Sequence, residues 1–106
     1  MPTCRSSGVL TANAVVNAGR CKLISIHATY TGTTAATTVK VFDNASAASG
    51  TELARLILRG PHAGDPAVPD STNVEFDMHG VLALNGLYLQ ISTGTGTGAA
   101  VSVEFA

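Results

Sequence analysis

From Arg20 onward the chain alternates apolar and polar residues in short bursts separated by glycine. Cys21–Tyr30 (CKLISIHATY), Thr37–Asp43 (TTVKVFD), Asn73–Met78 (NVEFDM), Leu87–Ser92 (LYLQIS) and Ala100–Phe105 (AVSVEF) all have period two. Residues two apart on a strand share a face, so each burst offers one face to a core and the other to its surroundings. In the longest burst the pattern puts Ile24, Ile26, Ala28 and Tyr30 on one face. Leu23, Ser25, His27 and Thr29 take the other.

Gly8–Val16 is a further strand candidate, turned by Asn17-Ala18-Gly19-Arg20. Glu52–Arg59 has a helix-like composition, but eight residues between Gly50 and Gly60-Pro61 suit a strand with Leu56 and Leu58 inward. Asn44 to Gly50 reads as a loop. Asn73–Met78 and Gly80–Leu84 read as successive strands, and Asn85-Gly86 before Leu87–Ser92 carries the composition of a type I′ hairpin turn. About eight short antiparallel strands at this spacing predict one all-β domain over residues 1–106, a jelly-roll-like β-sandwich. Residues 1–7 read as an N-terminal arm or the lead-in to a first strand, and residues 60–72, which hold three of the four prolines, as a long loop.

Composition narrows the function. Ala, Gly, Ser and Thr supply 48 of the 106 residues, and the large aliphatics and Phe only 26, so buried area is scarce and burial against neighbouring copies is expected. Six Lys and Arg against seven Asp and Glu give a net charge of −1 with no basic run, which argues against nucleic acid as a partner. No apolar stretch approaches the roughly 18 residues of a membrane span, and MPTCRSSG lacks the apolar core of a secretory signal, so cytoplasmic synthesis is expected. Cys4 and Cys21 read as reduced thiols, with a bridge or metal site the less favoured alternative.

Candidate chemistry is thin. Glycines 94, 96 and 98 precede a strand rather than a helix and have no lysine nearby, unlike a phosphate-binding loop. His27, His62 and His79 are scattered. Asp77 and His79 stand two apart with no completing serine or metal set. Glu75 and Asp77 share a strand face, where carboxylates keep a sheet wet more often than they divide acid and base roles. Asp65 and Asp70 lack the dense spacing of calcium loops. The chain is expected to be no enzyme and to carry no cofactor or metal.

The succession KLISIHATYTG, TTVKVFDNASAASGTELARLIL, VEFDMHGVLALNGLYLQIS and GTGAAVSVEF is similar to small capsid decoration (cement) proteins of tailed bacteriophages. The resemblance covers most of the chain from about Arg20 and rests on strands and turns, not on a catalytic motif. It implies a β-sandwich homotrimer, made in the host bacterial cytoplasm, that binds the major capsid protein on the outer capsid surface of the virion. Shell and subunit contacts are then expected at Met1, Pro2, Thr3, Cys4 and Arg5 of the arm and at Pro61, His62, Asp65, Pro66 and Pro69 of the loop, where irregular backbone adapts to a partner. The alternative is a receptor- or glycan-binding module of a phage tail or fibre. With no Trp, and Tyr30 and Tyr88 its only tyrosines, the chain has few rings against which a sugar can stack.

Overall fold

The computed structural model describes residues 4–31, 37–58, 73–93 and 98–106. In chain order the strands are β1 (Arg5–Ser6), β2 (Ala14–Asn17), β3 (Cys21–Tyr30), β4 (Thr37–Asp43), β5 (Thr51–Leu58), β6 (Asn73–Ala83), β7 (Leu87–Thr93) and β8 (Ala99–Phe105). They form two antiparallel four-stranded sheets, ordered β1-β8-β3-β6 and β2-β7-β4-β5. Only β4 and β5 are consecutive and share a sheet; every other connection crosses the sandwich. This is the double Greek key of a jelly roll.

Alternation builds the core. Val101, Val103 and Phe105 of β8 meet Leu23, Ile26, Ala28 and Tyr30 of β3 on one inner face, and Val39, Val41, Leu56, Leu58, Leu87 and Leu89 line the other. Leu56 and Leu58 point inward as the pattern predicts. Thr37 is fully buried beside them, and its Oγ1 has no hydrogen-bond partner among the described residues.

The face assignment of β3 is corrected by a bulge. Pairing of β3 with both neighbours shifts between Leu23 and Ser25. An extra residue in one strand turns everything before it to the opposite face. Cys21 and Leu23 therefore join the core with Ile26, Ala28 and Tyr30, while Ile24 stands on the outer face beside Lys22.

Opposite this bulge, β6 makes its own irregular step. Asn73–Met78 and Gly80–Leu84, expected as separate strands, are one strand ending at Ala83, with His79 (φ 54°) and Gly80 (φ 79°) both left-handed at the step. The carboxylate of Asp77 accepts the His79 backbone N–H at 2.8 Å and holds the step in place. Phe76 pairs with Ile26 on the inner face, yet remains 49 % exposed at the sheet edge.

Asn85-Gly86 is not a hairpin. It carries the chain from β6 in one sheet to β7 in the other. Asp43 at the end of β4 accepts the backbone N–H groups of Leu84 (3.1 Å) and Asn85 (2.7 Å), which fixes the crossing. Within residues 1–7, Arg5 and Ser6 form a short first strand: they pair with Phe105 and Glu104, and the Ser7 N–H donates to the Val103 carbonyl at 2.8 Å. Gly8–Val16 contracts to β2, with Leu10 making an isolated bridge to Val101.

Candidate functional site

Chemistry-bearing side chains gather on the outer face of the sheet β1-β8-β3-β6. His27 lies opposite Glu75 on β6 and Ser102 on β8, and Ser25 lies opposite Asp77 and Glu104. Pairs directly opposite on antiparallel strands share a face, so the register alone places these groups together. His27 Nε2 is 2.9 Å from Glu104 Oε1 and 3.4 Å from Ser25 Oγ, and Nδ1 is 3.8 Å from Glu75 Oε2. The Cys4 thiol donates to Glu104 Oε2 at 3.5 Å.

Serine, histidine and carboxylate side by side invite a nucleophilic reading, which the geometry rejects. A carboxylate only accepts, so the short contact requires hydrogen on Nε2. That is the same nitrogen that faces Ser25, so it has no lone pair with which to take the serine proton. Hydrogen bonds from His27, Ser25 and Cys4, in that order of weight, hold the Glu104 carboxyl below its usual range. The Cys4 thiol is pushed up by loss of hydration and then by Glu104, which makes it a poor thiolate source; burial pushes Cys21 up as well. Both cysteines are unbridged, Cys4 exposed and Cys21 in the core. No group of three or more His, Cys, Asp or Glu side chains among the described residues could hold a metal ion.

The other end of the same face has a different character. Where the β3 bulge meets the β6 step, an open groove of ≈ 630 Å³ is lined by Ile24 and Leu82, with Arg20, Lys22 and His79 beside them. Gly80 belongs to this groove: a Cβ there would touch Ile24 Cδ1 and the Lys22 side chain at 3.8 Å. No carboxylate among the described residues forms an ion pair with Arg20 or Lys22. One outer face thus carries a cationic, apolar end at Arg20 and Lys22 and, in the middle of β3 around Ser25 and His27, a cluster of carboxylates.

Of the contact residues expected from sequence, Cys4 and Arg5 are described. Cys4 joins the anionic cluster, and the Arg5 guanidinium stacks over the Phe105 ring at 4.7 Å, so neither belongs to a loose arm. Met1, Pro2, Thr3, Pro61, His62, Asp65, Pro66 and Pro69 lie outside the described residues, as do the 94–96 glycines. Asp77 and His79, noted for their spacing, are joined through the backbone of the step. Sequence reasoning missed Glu104 as the partner of His27 and Ile24 as a surface residue. No protein-family model matches the chain, and no curated protein or solved structure is detectably similar to it.

Proposed function

We propose that this chain is a structural virion protein of a tailed phage: a decoration protein that binds the major capsid protein on the outside of the head, associates with copies of itself and stabilises the shell. The observation that carries this reading is the jelly roll with two broad outer faces and large apolar side chains left in solvent. Val9, Val15, Ile57, Leu82 and Leu84 are all exposed. Isolated exposed aliphatics are ordinary, but several on a small chain poor in charge make surfaces that are inexpensive to desolvate against a partner. Jelly rolls serve both viral shells and lectins, so fold alone does not choose between them. The strand-and-turn resemblance favours the shell. A glycan-binding role is disfavoured because surface rings are few: Tyr30 is buried in the core, leaving the half-buried Tyr88 and the 49 % exposed Phe76.

The test is to mix the purified protein with undecorated, expanded heads. Co-sedimentation and increased resistance of the heads to heat or chelator are expected. A protein that stays in the supernatant and leaves head stability unchanged, while binding immobilised glycans, would replace this reading with the tail- or fibre-module alternative.

A further inference from the structure

We infer that the groove between the β3 bulge and the β6 step docks an extended protein segment in which a carboxylate side chain stands two residues from a branched aliphatic one. The free charge of the groove comes from Arg20 and Lys22, both exposed and neither in an ion pair among the described residues. His79 is already engaged, its Nδ1 lying 3.5 Å from the Asp77 carboxylate. The apolar part is Ile24, turned outward by the bulge, and Leu82, 42 % exposed and directly opposite Lys22 on β6. Gly80 keeps the floor open, since a Cβ there would touch both Ile24 and Lys22. Lys22 and Ile24 are two residues apart, about 7 Å along a strand, which is also the spacing of alternate side chains in an extended ligand. A carboxylate held by Arg20 and Lys22 therefore sets the side chain two residues on over Ile24 and Leu82.

The neighbouring carboxylates decide the class of partner. Ser25, with Asp77 and Glu104 opposite it, is three residues from Lys22, about 10 Å along the strand and about one Debye length at 0.1 M salt. A nucleic-acid backbone or an anionic membrane presents a continuous run of negative charge and is repelled there. A single carboxylate next to an aliphatic side chain fits the cationic end alone. Because β6 is the outermost strand of its sheet, a segment reaches the groove from the open edge. Only the owner of that segment, the capsid subunit, rests on the decoration reading. Two anchoring side chains bury far less than the roughly 800 Å² per partner of a standard interface, so one such contact is weak, high micromolar to millimolar, and holds where several linked copies engage at once.

Titrating the isotope-labelled full chain with a capped peptide of alternating Glu and Leu, followed by amide chemical shifts, tests the groove. Saturable shifts are expected at Arg20, Lys22, Ile24, Gly80 and Leu82. Binding should weaken at high salt and fall at least about tenfold in Arg20→Glu/Lys22→Glu, where attraction becomes repulsion. Peptides alternating Lys and Leu, or Glu and Ser, should also bind at least about tenfold more weakly. No shift with the Glu-Leu peptide would overturn the inference. So would equal affinity for either control, or tighter binding of inorganic polyphosphate, which would make the groove a polyanion site. The unmodified protein carries this titration by itself, so a misfolded substitution does not spare the proposal. Sedimentation with expanded heads then separates groove from shell: the unmodified protein should pellet and the folded charge-reversed variant should not. If both pellet, the shell is held elsewhere and the inference falls while the decoration reading stands. If neither does, the decoration reading falls and the peptide titration alone upholds or overturns the groove.

Discussion

Replacing Gly86 with alanine probes the crossing between the two sheets. Gly86 is buried, with φ +150°, and a Cβ built on it would lie 2.5 Å from the Asn17 carbonyl oxygen, 3.0 Å from Ala45 Cα and 3.2 Å from the Asn44 carbonyl oxygen. All three atoms are backbone, so no side chain can swing away. The left-handed conformation costs an L-residue about 1–3 kcal/mol, and forcing a methyl group into a packed site costs about 1–3 kcal/mol more. Gly19 is a matched control: its φ is +147°, and a Cβ there meets nothing within 4 Å. Gly19→Ala therefore carries the conformational term alone. At about 4–8 °C per kcal/mol for a domain near this size, the packing term alone sets Gly86→Ala roughly 4–24 °C below Gly19→Ala in melting. Thermal unfolding followed by circular dichroism at neutral pH reads the difference. Equal melting temperatures for the two variants would refute the claim that backbone approach, not φ, makes glycine obligatory at the crossing.

Four further outcomes are expected. Ile26→Asp buries a charge at a fully enclosed site and should unfold the domain, whereas Ile24→Asp, on the outer face, should fold with melting lowered by only a few degrees; similar behaviour of the two by circular dichroism would remove the bulge. Thr37→Val deletes a buried hydroxyl that has no partner among the described residues and should be neutral or stabilise by about 1 kcal/mol in urea unfolding; a clear loss of stability would reveal a hydrogen bond at Oγ1. Asp43, held low chiefly by the Asn85 N–H, and Glu104, held low chiefly by His27, both have folded pKa values below the ordinary 3.8 and 4.5. Their contribution is present above those values and is lost as pH falls through and below them. Melting should therefore decline on acidification, with a shallower acid limb in Asp43→Asn; identical limbs would contradict the role of Asp43. Removing residues 1–7 should lower melting below that of a chain lacking residues 1–3, because it strips β1 from β8; equal melting of the two truncations would show that β1 contributes nothing.

The strands were legible because each buries one face, and burial writes itself as alternation. Ala99–Phe105 and Leu56/Leu58 follow the rule without interruption. The bulge was harder to see. Ile24, Ile26, Ala28 and Tyr30 make an unbroken period-two series, although Cys21, Lys22 and Leu23 carry the opposite phase. Two phases colliding at Leu23-Ile24 were the available signal, and only the shifted pairing with β6 and β8 decides which residue turns outward. Asn85-Gly86 misled for a related reason. A tight turn and a passage between sheets make the same local demand for unusual backbone angles, and the carboxylate that secures the passage is 42 residues away at Asp43. The charged face has no linear signature. His27 and Glu104 are 77 residues apart in sequence, and the groove exists only where two irregular strands meet.

The position of β8 between β1 and β3 has a consequence for synthesis. While the ribosome is still making the earlier part of the chain, β1 and β3 flank an empty slot whose backbone donors and acceptors face water. Greek-key order means the slot is filled by β8, which is translated after the other seven strands, so this sheet closes only once they have been made. Until then a C-terminal strand from another nascent chain, identical in sequence, could occupy the same place, and crowded expression would favour exchanged strands over properly closed sandwiches.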